Sequence, residues 1–318
     1  VSAEIAIEAR GLGKAFGDFT AVDGIDLTVP GGTVFALLGP NGAGKTTTVR
    51  MLATLLRPTR GSARVFGYDV VRDATAVRSM IGLTGQYASV DENLSAEENL
   101  RIFGRLLGLT RRAAFRRTEE LLEQFELTAA AQRPAGALSG GMRRRLDLAA
   151  TLITLPPLIF LDEPTTGLDP HTRLQMWDMV RSLVSGGVTV LLTTQYLEEA
   201  DVLADRIAVV DRGIIVAEGS ADELKASVGE EVLRVELADP ARLSAAISIA
   251  ERVTGAAARI SPEGGALSVP VDEIDRATKV LAELRKSGIR LRGFGVDRPD
   301  LNEVFLALTG HAEKQGVA

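Results

Sequence analysis

The sequence predicts an α/β protein: a mixed sheet core around a phosphate loop, with a small α+β module after it. Three observations carry this prediction. Gly39-Pro40-Asn41-Gly42-Ala43-Gly44-Lys45-Thr46 fits Gly-x-x-x-x-Gly-Lys-Thr, preceded by an apolar strand-like run and followed by helical spacing. A second apolar run, Leu158-Ile159-Phe160-Leu161, stops at the acidic pair Asp162-Glu163. Beyond residue 228 the order of elements reads βαββαβα, that of a ferredoxin-like module.

Taken in order, residues 4–30 alternate apolar and polar (Ile25, Leu27 and Val29 against Asp26 and Thr28), as an antiparallel sheet beside the core requires. Residues Thr33 to Leu38 form a buried parallel strand, and Val49, Leu52 and Leu55 mark the helix after the loop. Three glycines let the loop curl its N–H groups toward phosphate oxygens, and the helix adds its positive dipole end. Lys45 is placed for the β- and γ-phosphates and the Thr46 hydroxyl for Mg²⁺, so the loop predicts a nucleoside triphosphate. Ile81–Thr84 is strand-like and leads to Gln86. Ser95-x-x-Glu98 is a capping box for a helix with Leu100, Phe103 and Leu106 on one face.

Residues 111–133 are charged and helical. Arg111, Arg112, Arg116 and Arg117 fit a solvated helix face better than a phosphate or lipid patch. Leu138-Ser139-Gly140-Gly141 opens a further helix. Asp162 and Glu163 leave the sheet where ligands bind in open α/β folds, with Asp162 suited to Mg²⁺ through water and Glu163 to polarising an attacking water. Val188 to Leu192 is a strand ending at Thr193-Thr194-Gln195, and Ile207–Val210 with Ile214–Ala217 is a hairpin. A capped helix at Ser220–Ser227 closes a first domain, 1–228. Residues 229–310 form the second, and a disordered tail follows at 311–318.

Composition narrows the function. The 318 residues accommodate one large domain and a smaller one, and 46% hydrophobic residues supply a sizeable core. Aromatic residues at 4% and a net charge of −6 argue against nucleic acid as a partner. There is no cysteine, which excludes disulfide and thiolate chemistry. No apolar run approaches the ~20 residues of a membrane span, so the expectation is a soluble chain that needs a separate partner for any membrane role.

The segments Gly39–Thr47, Gln86, Leu138–Met142, Leu158–Pro164, Gly167-Leu168-Asp169 and Gln195 stand in the order and rough spacing of an ABC transporter ATPase, which the chain resembles. Gly82–Val90, Gly140–Asp147, Leu192–Asp201 and Glu303–His311 are similar to the ATP-binding subunits of daunorubicin/doxorubicin-resistance exporters. The resemblance implies a phosphate-loop ABC ATPase domain, with antiparallel β and helical subdomains, and ATP and Mg²⁺ as its cofactors. ATP would be bound by Phe16, Gly39, Asn41, Gly42, Ala43, Gly44, Lys45, Thr46, Thr47 and Gln86, and by Ser139, Gly140, Gly141 and Asp169 across a homodimer. Mg²⁺ would lie at Thr46, Gln86 and Asp162, and catalysis would rest on Glu163, Gln195 and Lys45. Phe19 rivals Phe16 for the adenine-stacking position. The resemblance further implies a separate transmembrane permease subunit contacted by residues from Gln86 to about Phe103. The chain would sit as a peripheral protein on the cytoplasmic face of the membrane and power drug or antibiotic efflux, or export of a lipid, polyketide or glycoconjugate. Residues 229–310 would regulate or stabilise the dimer. Two positions depart from the family: Met142 replaces a usual Gln, and Gln195 a usual His.

Overall fold

The computed structural model describes residues 4–85, 90–228, 231–260, 266–271, 274–297 and 300–309. The chain divides into two compact units, Val1–Ser220 and Ala221–Ala318. In the first unit, β1 (Ile5–Phe16) and β2 (Phe19–Pro30) pair antiparallel. Strand β2 buries Ile25, Leu27 and Val29 and turns Asp26 and Thr28 outward, the period-2 pattern of a one-sided sheet.

Strand β3 (Val34–Leu38) is buried at every residue and runs into the phosphate loop, which opens helix α1 (Lys45–Leu52). Strands β4 (Arg60–Val65) and β5 (Tyr68–Asp69) complete the first sheet in the order β2-β1-β4-β5. Helix α2 (Ala74–Met80) and strand β6 (Ile81–Thr84) lead to a helical segment of α3 (Ala96–Leu106), α4 (Arg111–Gln124) and α5 (Gly140–Thr151). Strand β7 (Leu158–Asp162), α6 (Pro170–Ser185), β8 (Thr189–Thr194), α7 (Leu197–Leu203), β9 (Arg206–Asp211) and β10 (Ile214–Gly219) finish the unit.

The central sheet has the order β10-β9-β3-β8-β7-β6, parallel from β9 to β6, with β10 antiparallel at its edge. Parallel strands buried on both faces read as continuous apolar runs, as β3 and β7 do. One core joins this sheet to the antiparallel one: Ile7, Leu12 and Val29 meet Val49 and Leu52 of α1 and Phe35, Phe160 and Leu191 of the central strands.

Helix α3 has the expected capping box: Ser95 Oγ accepts from Glu98 N at 3.1 Å, and Ser95 N donates to Glu98 Oε2 at 2.8 Å. The charged helix is shorter than the sequence pattern implies. It stops at Gln124, Glu126 takes a left-handed φ of 54°, and only a 3-10 turn follows at Thr128–Ala130. One arginine of its cluster is structural: Arg117 Nη2 donates to the Leu152 carbonyl at the end of α5 at 3.0 Å. Arg111, Arg112 and Arg116 are exposed.

The second unit contains α8 (Ala221–Val228), β11 (Glu231–Leu237), α9 (Leu243–Thr254), β12 (Arg259–Ile260), β13 (Ala266–Val271), α10 (Ile274–Lys286), β14 (Leu291–Asp297) and α11 (Leu301–Thr309). Helix α8, which the sequence pattern assigns to the end of the first domain, packs instead against α11. The sheet is antiparallel in the order β12-β13-β11-β14, the ferredoxin-like arrangement. Its core joins Leu233, Val235 and Val269 of the strands to Ala246 and Ala250 of α9 and Val280 and Leu284 of α10. Pro270 is tolerated because its strand outruns β12, whose pairing stops at Ser268. The expected tail, 311–318, lies outside the described residues.

Candidate functional site

The carboxyl ends of β3, β7 and β8 lie side by side in the sheet and bring the phosphate loop, the acidic pair and the Thr193–Gln195 segment to one edge. Two glycines make the loop possible. A Cβ on Gly39 would lie 2.1 Å from the Val210 carbonyl oxygen. Gly44, at φ 104°, would place one 2.6 Å from the Ala21 oxygen. Gly39 and Ala43 are buried in this packing, whereas Asn41 and Gly42 are exposed at the loop tip.

Lys45 is buried, and its Nζ donates to the carbonyls of Gly39 at 2.7 Å and Pro40 at 3.0 Å. The Glu163 carboxylate lies 3.8 Å from the same ammonium. Burial lowers the Lys45 pKa, and the nearby charges of Glu163 and Asp162 oppose that shift. Asp162 Oδ1 accepts from the Thr46 hydroxyl at 3.0 Å and from the Thr193 hydroxyl at 2.6 Å. Thr46 and Asp162 are thus in direct contact. Thr193, at the end of β8, joins this cluster although pattern reading does not single it out.

Glu163 has a left-handed φ of 51°, a conformation costing a non-glycine residue about 1–3 kcal/mol. The turn is held from one side by β8, where Glu163 N donates to Thr193 O and Oγ1, both at 3.1 Å. Thr166 Oγ1 donates to the carboxylate at 3.3 Å.

Gln195 is half-buried directly after β8. Two residues on, α7 begins, and its Glu199 is fully buried with Trp177 Nε1 donating to Oε1 at 3.3 Å. Burial pushes the Glu199 pKa up, opposed by the nearby hydroxyls of Thr194 and Thr165 and by the bond from Trp177.

Ser139, Gly140, Gly141 and Asp169 form a separate cluster. Ser139 caps α5, its Oγ accepting from Met142 N at 3.2 Å. Asp169 caps α6 through Thr172, accepting from its N at 3.0 Å and its hydroxyl at 2.6 Å, and these bonds lower the Asp169 pKa. The two helix starts touch at Gly141, where an added Cβ would sit 2.5 Å from Thr172 Cγ2.

Phe16 and Phe19 face each other across the β1–β2 hairpin, 50% and 65% exposed, with Lys14 Nζ 5.1 Å from the Phe16 ring centre. Both rings remain accessible. Thr47 lies on α1, half-buried, and Gln86 is outside the described residues.

A family model described as ABC transporter matches residues 22–166, and one for the C-terminal domain of DrrA1-3-like ATP-binding proteins matches residues 219–309. The daunorubicin/doxorubicin resistance ATP-binding protein DrrA of Streptomyces peucetius is 52% identical over 306 residues, 96% of this chain and 93% of that one. The chain belongs to the ABC transporter ATP-binding proteins. As a member it binds ATP and is an ATPase. The doxorubicin resistance ATP-binding protein DrrA of Mycobacterium tuberculosis is 45% identical, covering 96% of this chain and 94% of its own. The Nod factor export ATP-binding protein I of Sinorhizobium fredii is 39% identical, at 98% and 88% coverage. Among solved structures, an ATP-binding subunit of an ABC transporter aligns with TM-score 0.63 at 26% identity, covering 70% of this chain and 92% of that one. A dimeric ATP-binding cassette in a post-hydrolysis state with ADP and Pi aligns with TM-score 0.62 at 25% identity, over 67% and 98%. Among the described residues no helix is long and apolar enough to cross a membrane.

Proposed function

We propose that this ABC ATPase powers export of a drug- or antibiotic-like molecule, of the anthracycline kind, through a separate membrane subunit that holds it at the cytoplasmic face of the membrane. The observation that carries this reading is the 52% identity to the daunorubicin/doxorubicin resistance protein, which spans both units of the chain.

The chemistry follows from the sheet edge. Phosphates entering the loop meet its N–H groups and the start of α1, and Lys45 exchanges the Gly39 and Pro40 carbonyls for phosphate oxygens. Thr46 and Asp162 supply a hydroxyl and a carboxylate 3.0 Å apart, hard oxygen donors that fit Mg²⁺ together with phosphates and water. When bound, the ion neutralises charge on the phosphate oxygens. Glu163 takes the proton of the attacking water, and Gln195 donates to the γ-phosphate while staying neutral at ordinary pH. In a homodimer, Ser139, Gly140 and Gly141 of the second copy close over the same phosphate, with Asp169 at the seam. The C-terminal unit steadies or regulates that dimer.

A second reading, export of a lipid, polyketide or glycoconjugate, is favoured by the 39% identity to a Nod factor export protein. The test is ATPase activity of the chain reconstituted with its co-purifying membrane protein. Stimulation by anthracyclines is expected. Stimulation by a glycolipid and not by anthracyclines would favour the second reading.

A further inference from the structure

We propose that Arg144 is a positioning residue for hydrolysis, clamping from helix α5 the turn that presents Glu163. The proposal rests on the reading of Glu163 as the general base.

Arg144 lies in the first turns of α5, and its side chain is 12% exposed. It spreads over two separate segments of backbone. Nε donates to Pro164 O at 3.1 Å, while Nη2 donates to Asp162 O at 3.2 Å and Glu163 O at 3.3 Å. On the other side, Nη1 donates to Gly85 O at 2.7 Å, just past β6. Asp147, one turn along α5, balances the charge at 3.7 Å. The adjacent Arg143 and Arg145 are tied elsewhere, to Glu92 at 2.9 Å and Glu126 at 3.0 Å.

The acceptors explain the residue. At the end of β7 the carbonyls of Asp162, Glu163 and Pro164 leave the sheet ladder, and buried carbonyls need donors. A planar guanidinium offers five N–H groups in a fixed fork and can serve several such carbonyls at once; an ammonium is a point charge with three.

The clamp also completes the restraint on Glu163. Its N–H is fixed to Thr193, and its carbonyl accepts from Arg144 at 3.3 Å and from Thr166 N at 3.4 Å, so both peptide planes around the left-handed Cα are held. That conformation places the carboxylate 3.8 Å from Lys45. Without Arg144 the Glu163 carbonyl keeps only the long bond from Thr166 N, at 3.4 Å, and a turn so loosened can shift the carboxylate away. The same guanidinium connects this turn to the helix that Ser139 caps and that Gly140 and Gly141 begin.

The test is steady-state ATP hydrolysis and ATP affinity of the purified chain with Arg144→Ala. Misplacement of a catalytic group by about 1 Å can cost roughly 10²-fold. A kcat fall of that order is expected, with ATP affinity within about twofold. Millimolar methylguanidinium should restore part of the rate, and Arg144→Ala added to Glu163→Gln should cause little further loss. A parent-like kcat in Arg144→Ala, or a loss that multiplies with that of Glu163→Gln, would overturn the proposal. Should Arg144→Ala not fold, Arg144→Lys carries the test, since it keeps the stem and charge but not the fork. A parent-like kcat there overturns the proposal and a reduced one supports it. Near-normal turnover in Glu163→Gln alone would instead remove the general-base reading. A slow Glu163→Gln beside a parent-like Arg144→Ala would remove only this inference.

Discussion

At the sheet edge, side chains from the start of α1 and the ends of β7 and β8 satisfy one another inside one chain. Thr46 and Thr193 converge on Asp162, and Lys45 lies between the loop carbonyls and Glu163. The start of α5 is built the other way. Ser139 and Gly140 are exposed, and an added Cβ at Gly140 would meet nothing within 4 Å. Its neighbour Gly141 has a reason within the chain, the tight approach of Thr172. The first region is a largely buried constellation whose polar groups answer one another within the chain. The second presents helix N–H groups outward, as a surface that acts on another molecule. This contrast fits a shared site in which each copy contributes one region of each kind.

The largest expected effect lies in the buried region. Glu163→Gln should retain ATP binding and lower turnover by ~10²–10⁴-fold, the usual span for a general base. Near-normal hydrolysis in the purified variant would remove Glu163 from that role. Gln195→Ala should likewise lose hydrolysis with affinity unchanged, and a parent-like rate would make Gln195 purely structural.

The sequence made much of this legible, for reasons that particular residues explain. Patterns between near neighbours translated directly. The Ser95–Glu98 box, the buried run of β7 and the alternation of β2 depend on spacing alone. The order of the last strands and helices likewise matched the antiparallel sheet they form. Contacts from main chain or from distant segments did not translate. Thr193 reads only as the end of a strand until β7 and β8 are paired and it meets Asp162. Arg144 donates to carbonyls 18 to 59 residues away, and carbonyls have no signature in a sequence. The left-handed turn at Glu163 is hidden because glutamate, unlike glycine, gives no sign of φ above zero. The end of α4 was missed for the same reason, at Glu126.

A smaller effect separates the two glycines. Gly140→Ala should leave thermal stability unchanged or slightly raised, since alanine favours helix and has room. It should still lower hydrolysis, by ~10-fold or more if it crowds a phosphate held by these N–H groups. Gly141→Ala should lower the melting temperature, through Thr172. Equal melting losses in both variants, with Gly140→Ala fully active, would break the contrast between outward and inward glycines.

The smallest effect concerns the buried Glu199. Its folded pKa is raised above the ordinary 4.5 by burial, so the folded state holds this proton better than the unfolded one. The stability from that difference is fully present below about pH 4.5 and is lost as pH rises through the folded value. Glu199→Gln should therefore flatten the fall in melting temperature between acid and neutral pH by a few degrees at most. Trp177, the chain's single tryptophan, reports the same titration by fluorescence. An identical emission titration in the variant would exclude Glu199 as its source.

The division between a complete buried region and an outward-presenting one is tested most directly by mixing two inactive proteins, Lys45→Ala and Ser139→Arg. In a mixed dimer, one site receives Lys45 from one copy and Ser139 from the other, while the second site carries both defects. The mixture should regain part of the parent ATPase rate that neither protein has alone. No recovery, with mixed dimers demonstrated by cross-linking, would contradict the shared site.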